Sequence, residues 1–260
     1  MCKQRERNQL MTNYSEIKVT RDGERCTISF NRTEALNAIT PTMLEELNSA
    51  ATAASEDESI RFVVLTGEGR SFSAGVDLKA LGERKLVNGK VGDILDLPAR
   101  RLTSTLSSMP KVTIARVNGF CFTGALELAI SCDLLVVASN AKLGDTHAKF
   151  GLRPTWGLSQ RLPELVGLAK ARELSFTARM FSGDQAAQWG LATEAVELED
   201  LDSRIDDLIE EMSANSSESF VAYKSLYAAS SQLGLEAGLE FEGITDYQFS
   251  DTEERLKGFR

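Results

Sequence analysis

KVTIARVNGFCFTGALELAISCDLLVVAS, residues 111–139, decides the fold class. Val112, Thr113, Ile114 and Val117 crowd β-branched side chains into residues 111–117, which predicts a strand. Asp133–Ala138 is a short apolar run of the kind found in strands buried on both faces. Between the two, Gly124–Ser131 (GALELAIS) reads as a short helix entered through a glycine-containing loop. Strand, loop, short helix and strand in one stretch is the unit of an α/β fold.

The flanking sequence repeats that logic. Residues 16–21 (EIKVTR) and 25–30 (RCTISF) alternate apolar and polar side chains and are joined through Asp22-Gly23, which predicts a hairpin. Thr40 caps and Pro41 begins a helix through MLEELNSAATAAS, with Met43, Leu44 and Leu47 at core spacing. RFVVLTG (61–67) is a strand, followed by the loop GEGRSFSAGVD into a short helix expected near Leu78, and a helix over Ile94–Ser107. A further helix is expected from Leu168, and from Leu201 onward the pattern is helical with almost no strand signal. The expected organisation is a flexible tail at 1–13, a mixed α/β core at 14–200 and a helical region at 201–260.

Composition removes several function classes. The chain has 260 residues, 42% hydrophobic and 26% charged, which suits a soluble globular protein with a sizeable core. A net charge of −9 disfavours nonspecific nucleic-acid or anionic-membrane binding, so any anionic ligand must meet a local basic patch. No apolar run reaches the length of a transmembrane helix, and the first ten residues, MCKQRERNQL, lack the apolar stretch of a signal peptide; a cytoplasmic location is expected. Cys2, Cys26, Cys121 and Cys132 lack CxxC spacing and, with one histidine in the chain, build no usual zinc site; they are read as reduced thiols, and no metal is expected.

SFSAGVD and NGFCFTGALELA both follow a strand and lead toward a short helix, leaving unpaired backbone N–H groups. The N–H groups of Val76 and Gly124 are the pair able to hold one developing oxyanion, with Gly75 allowing close approach or positive φ. The same glycines also make tight turns with no ligand, so spacing alone leaves both readings open. Glu127 lies three residues after Gly124 in the apolar turn ALELAI and projects to the same side, where desolvation raises a carboxyl pKa and makes it a proton carrier near neutrality. Its plain alternative is a first-turn glutamate favoured by the helix dipole.

LNAITPTMLEEL (36–47), VVLTGEGRSFSAGVDL (63–78), ARVNGFCFTGALELAISCDLLVVAS (115–139), GLSQRLPELVG (157–167) and TARMFSGDQAAQWGLATEAV (177–196), in this order, resemble the enoyl-CoA hydratase/isomerase (crotonase) superfamily over roughly residues 15–260. The resemblance implies a crotonase-like spiral of ββα units, of the kind shared distantly with spiral-fold proteases, and a C-terminal helical region that trimerises, commonly as a dimer of trimers. It implies an acyl-CoA substrate whose thioester oxygen is held by the Val76 and Gly124 N–H groups. Glu127 matches one of two glutamates that position water and move protons in hydratases. Coenzyme A enters as part of the substrate, so no separate cofactor is expected. Ala74, Asp77, Lys79 and Lys257 match positions associated with CoA; Arg84, Lys85 and Lys90 follow in the same loop as further cations.

The second glutamate of a typical hydratase stands in a stretch of the form FGxPExxxG. Here that stretch reads LGDTHAKFG (143–151), and His147, the only histidine, occupies the glutamate's place. An imidazole, with an unperturbed pKa of about 6.5, suits water orientation or proton donation. If it is only structural, Glu127 works alone, as in isomerases and hydratase-lyases, and Asp145 is a third possibility if the loop turns it inward. Trp156 either narrows the pocket or packs as a core aromatic.

The expected activity is hydration of a 2-enoyl-CoA to a 3-hydroxyacyl-CoA through an enolate. The alternatives are a double-bond isomerase or hydratase-lyase using Glu127 alone, or a catalytically silent acyl-CoA binder. A serine hydrolase built on Ser73, His147 and Asp133 lacks a G-x-S-x-G elbow, and GEGRSFSAG does not fit a dinucleotide fingerprint.

Overall fold

The computed structural model describes residues 14–80, 82 and 86–259. The 1–13 segment with Cys2, and Arg84 and Lys85, lie outside them.

Ile17–Asp22 (β1) and Arg25–Phe30 (β2) form the expected hairpin, with Asp22 opposite Arg25. The loop is therefore Gly23-Glu24, one residue later than Asp22-Gly23, because Gly23 takes the positive φ of 59° that the turn needs. Phe62–Gly67 (β3), Ser71–Ser73 (β4), Val112–Val117 (β5), Phe120–Phe122 (β6), Leu134–Ala138 (β7), Lys142–Gly144 (β8), Phe181–Ser182 (β9) and Glu194–Val196 (β10) complete the strands. A six-stranded sheet runs β1-β2-β3-β5-β7-β10, parallel from β2 onward, and a four-stranded sheet runs β4-β6-β8-β9. Each pair β3/β4, β5/β6 and β7/β8 places one strand in each sheet, parallel to the corresponding strand of the previous pair. The chain thus advances as a spiral, and the cleft between successive turns is where its loops converge.

All six residues of β3 are buried, as expected for a parallel strand covered on both faces. Phe30 of β2 meets Phe72 of β4 edge to face with centroids 5.0 Å apart, tying the two sheets together. Pro41–Glu56 (α1) begins where expected, with the Thr40 hydroxyl accepting from Met43 N–H. Met43, Leu44 and Leu47 are fully buried, each worth roughly 1.5–3 kcal/mol of burial. Asp93–Ser108 (α2), Gly124–Ala129 (α3), Leu158–Val166 (α4), Leu168–Thr177 (α5) and Gly183–Gln188 (α6) follow.

The short helix expected near Leu78 is not found among the described residues. Residues 78–80 are a turn that the Asp77 carboxylate caps by accepting the N–H groups of Lys79 and Ala80, each at 3.1 Å, and the backbone bonds, Ala80 N–H to the Asp77 carbonyl and Gly82 N–H to the Lys79 carbonyl, span three residues as turns do.

Leu201–Ser213 (α7), Ser217–Ser230 (α8), Leu235–Ile244 (α9) and Thr252–Leu256 (α10) make the C-terminal region helical. The chain divides into two compact units between Asp206 and Asp207, inside α7. Within the second unit Ser216 donates to Asp251 and Arg255 to the Ala214 carbonyl. Among the described residues no helix is long and apolar enough to cross a membrane.

Candidate active site

A cavity of about 100 Å³ is lined by Ala74, Val76, Thr123, Gly124, Glu127, Thr146, His147 and Trp156, among others. Four of the residues expected to act together, Val76, Gly124, Glu127 and His147, therefore share one space.

Val76 is held in register by a single bridge to Ile39. Ile39 N–H donates to the Gly75 carbonyl at 2.8 Å and Asp77 N–H to the Ile39 carbonyl at 2.9 Å. In such a parallel pairing the peptide groups flanking Val76 face Ile39, so its own N–H is turned to the other side. Gly75 has φ of 91°, and a Cβ there would lie 2.8 Å from the Phe122 carbonyl oxygen; the loop demands glycine on both counts. Gly124 is the first residue of α3, so its N–H has no partner within the helix. A Cβ on Gly124 would meet Trp156 Cζ3 at 2.5 Å, so the indole packs against the Cα of this residue. Trp156 is 2% exposed and lines the cavity: it is both a core aromatic and a pocket wall.

Glu127 is 1% exposed. Its Oε1 accepts backbone N–H groups from Trp156 at 2.9 Å and Leu158 at 3.1 Å. Its Oε2 faces His147 Nε2 at 3.5 Å. One oxygen is anchored and the other is left to work. Burial pushes the Glu127 carboxyl up to about 7, outweighing His147 and the two N–H groups, which pull it down. The carboxyl is thus poised to gain or lose a proton near neutrality.

His147 begins a 3₁₀ turn, His147–Phe150, just after β8, and is buried. Its Nδ1 lies 2.7 Å from Asp145 Oδ1, which also accepts the His147 backbone N–H at 3.2 Å. The loop has therefore turned Asp145 inward. Burial opposes its charge, but hydrogen bonds from His147 and Ser175 outweigh that and hold Asp145 below the usual carboxylate range. Thr123, with φ of 54°, shares a hydrogen bond of 2.5 Å with Thr146, joining the α3 turn to the histidine loop.

Three further residues hold this arrangement and were not singled out in the sequence. Asp96 of α2, 5% exposed, accepts from Trp156 Nε1 at 2.9 Å and Thr155 Oγ1 at 2.6 Å. Arg161 Nη1 donates to the Trp156 carbonyl at 3.3 Å. Arg153 N–H donates to the Gly89 carbonyl at 2.9 Å, fastening the 86–92 loop beside the cavity. Acidity in the first turn of α2 and charge on α4 read as ordinary helix electrostatics; only tertiary contact reveals their partners.

Of the residues matched to CoA, Ala74 lines the cavity, and Lys79 is exposed on the turn that Asp77 caps. Asp77 also accepts from Arg32 at 3.1 Å. Lys90 is half-buried, and Lys257 is exposed in a 3₁₀ turn of the second unit. His147 pairs with Asp145, whereas Ser73 Oγ accepts from Gly75 N–H and Asp133 is bound by Thr113, so the hydrolase grouping is not assembled. Among the described residues no group of three or more His, Cys, Asp or Glu is placed to hold a metal ion.

The sequence model of the family described as enoyl-CoA hydratase/isomerase matches residues 21–260. The chain belongs to this family. Among its relatives is a probable peroxisomal enoyl-CoA hydratase 1 of Arabidopsis thaliana, 34% identical over 240 residues that cover 89% of this chain and 88% of that one. The enoyl-CoA hydratase of Bacillus anthracis superimposes with a TM-score of 0.86 at 29% identity, covering 94% of this chain and 96% of that chain. A putative enoyl-CoA hydratase from Thermobifida fusca, solved in complex with acetoacetyl-CoA, gives a TM-score of 0.80 at 28% identity, covering 94% and 96%. The spiral of ββα units is thus the crotonase fold, and this family member carries His147 where the resemblance places a glutamate.

Proposed function

We propose that this family member is an enoyl-CoA hydratase, converting a 2-enoyl-CoA to a 3-hydroxyacyl-CoA. The observation that carries the reading is the free Oε2 of Glu127 facing His147 Nε2 in the cavity that Val76 and Gly124 also line. The thioester oxygen sits between the Val76 and Gly124 N–H groups. As water attacks C3, the C2=C3 electrons move onto that oxygen as an enolate; each well-aimed donor to it is worth about 10²–10³ in rate. Glu127 and His147 hold one proton between them. One of the two takes the proton that water loses and the other hands its proton to C2, so that water is added across the bond and the pair ends with the same single proton. A proton crossing the gap resets it.

The cavity of about 100 Å³ is smaller than the roughly 150 Å³ cavity that admits benzene, which favours a short acyl group. Ala74 at the cavity and Lys79 on its turn contact CoA, with Asp77 shaping the loop. Because the net charge of −9 repels a phosphorylated ligand at long range, the Lys79 cation acts locally. Phe176, 78% exposed on α5, and Leu239, 60% exposed on α9, are apolar surface of the kind covered by association, which supports a homotrimer, alone or doubled into a dimer of trimers. The location proposed is the cytoplasm, where the Cys26 and Cys121 thiols stay reduced.

The test is to follow loss of the conjugated enoyl absorbance with crotonyl-CoA and longer 2-enoyl-CoA esters. Turnover with formation of the 3-hydroxyacyl ester is expected, fastest for short chains. Conversion of a 3-enoyl ester with no hydration, or binding of CoA esters with neither reaction, overturns the reading. Sedimentation of the protein as a monomer at micromolar concentration overturns the assembly.

A further inference from the structure

We infer that Asp145 is a positioning residue that locks the neutral His147 imidazole as its Nδ1–H tautomer, so that Nε2, facing Glu127, is the only ring nitrogen that gains and loses the proton. The inference rests on the hydratase reading for its catalytic consequence but not for its geometry.

A neutral imidazole has one N–H and one lone pair, and the partner of one nitrogen decides the state of the other. Here the partners are unequal. Asp145 is 3% exposed, and its Oδ1 lies 2.7 Å from Nδ1, a charge-assisted bond length. The same oxygen takes the His147 backbone N–H, and the Ser175 hydroxyl of α5 also favours the ionised carboxyl, so the carboxylate has no use for a proton of its own. An ionised carboxylate accepts only; Nδ1 must therefore donate. Nε2 faces Glu127 Oε2 at 3.5 Å, longer than a good direct hydrogen bond but within reach of one shared water or substrate hydroxyl. One carboxyl faces each ring nitrogen, Asp145 before the 3₁₀ turn and Glu127 from α3, while Arg153 and, from α5, Arg172 line the cavities that His147 borders.

The array has a direction that two glutamates would lack. When Nε2 takes a proton from water, the imidazolium formed is held between Asp145 and Glu127, and the next transfer goes from Nε2 to Glu127 Oε2. Were Nδ1 the lone-pair nitrogen, the proton would be delivered toward Asp145, away from the substrate.

Because His147 is the only histidine in the sequence, nitrogen NMR of tag-free protein labelled with ¹⁵N-histidine reports this ring without assignment. In the wild-type protein with the ring neutral, Nδ1 is expected at the protonated, pyrrole-type shift and Nε2 at the pyridine-type shift. Asp145→Asn is expected to redistribute the proton toward Nε2 and to lower kcat on crotonyl-CoA by about 10²-fold or more, as loss of a carboxylate behind a catalytic histidine does, with KM changed less than about threefold. Ser175→Ala, a milder variant that keeps the carboxylate, is expected to shift the same signals in the same direction by a smaller amount. A pyridine-type Nδ1 in the wild-type protein, or unchanged shifts and kcat in folded Asp145→Asn, overturns the inference. The tautomer is read without substrate, so a wild-type protein that shows the Nδ1–H form but does not hydrate crotonyl-CoA refutes the hydratase reading and leaves the assignment of Asp145 standing.

Discussion

Oε1 of Glu127 is tied to the N–H groups of Trp156 and Leu158, and Oε2, turned the other way, lies 3.5 Å from Nε2 of His147. The carboxyl is thereby divided into a structural half and a chemical half. Glu127→Gln keeps the structural half, since an amide oxygen accepts the same two N–H groups, and removes the proton-carrying half. kcat on crotonyl-CoA is expected to fall by about 10²–10⁴ while the affinity for saturated butyryl-CoA stays within about threefold. Steady-state assays with calorimetric binding check it, and unimpaired turnover removes Glu127 from the mechanism.

The same burial that tunes Glu127 costs stability. Its folded pKa of about 7 stands above the ordinary 4.5, so the folded state favours the protonated form. That contribution is fully present below the ordinary value and is lost as pH rises through about 7, on the order of 3 kcal/mol in all. Asp145 has the opposite sign: held below its usual range, it is charged throughout this window and adds nothing to the change. Urea unfolding at pH 5 and pH 8 is expected to show the wild-type protein losing stability relative to Glu127→Gln, which lacks the titration. Equal pH dependence in the two proteins contradicts the raised pKa.

Gly124 and Trp156 are coupled through a contact that leaves no room for a methyl group. A Cβ on Gly124 falls 2.5 Å from Cζ3 and 2.9 Å from Cη2 of the indole, atoms of a ring that Asp96 holds by its N–H and that cannot swing aside cheaply. Gly124→Ala is expected to destabilise by about 1–3 kcal/mol through overpacking and to displace the N–H donor, lowering kcat. Trp156→Ala costs about 3–5 kcal/mol by itself but makes space for the methyl. In the double variant the penalty of the alanine is expected to shrink, giving a coupling energy of about 1 kcal/mol or more in a denaturation cycle. Additive effects disprove the contact.

How far the sequence could be read follows from the range of the interactions. α1, β3, β5 and β7 were legible because five or more neighbouring residues share one apolar or β-branched pattern and because Thr40-Pro41 marks a helix start locally. The small sheet was not: SFS, FCF and KLG are three residues each, too short to show a period, and they become strands only by pairing with each other across the spiral. At the site, Glu127 and Gly124 share one helical turn and were legible from spacing, whereas the inward turn of Asp145 shows only in its partners, His147 and Ser175 of α5. The expected helix at Leu78 is replaced by turns whose backbone bonds span three residues, Ala80 N–H to Asp77 and Gly82 N–H to Lys79, a difference that the residue pattern does not show.

Asp96 is the residue whose role was least visible, since its hydrogen bond to Trp156 spans 60 positions of sequence. In DILDLPARR it reads as a first-turn acid interacting with the helix dipole, yet it is 5% exposed and its Oδ1 takes both the Trp156 indole N–H and the Thr155 hydroxyl. Its Oδ2 is buried with no hydrogen-bond partner among the described residues. Asp96→Ala strands the buried indole N–H, at about 1–3 kcal/mol, removes the partner of the half-buried Thr155 hydroxyl and frees the indole that lies on Gly124, so both stability and kcat are expected to fall. Asp96→Asn keeps an oxygen for the two donors and puts an uncharged amide in the buried position where Oδ2 lacked a partner. It is expected to stay within about 1 kcal/mol of the wild-type protein and to retain most of the activity. Denaturation midpoints and crotonyl-CoA turnover of the two variants check the distinction: if alanine and asparagine behave alike, Asp96 does not act by holding Trp156 through Oδ1.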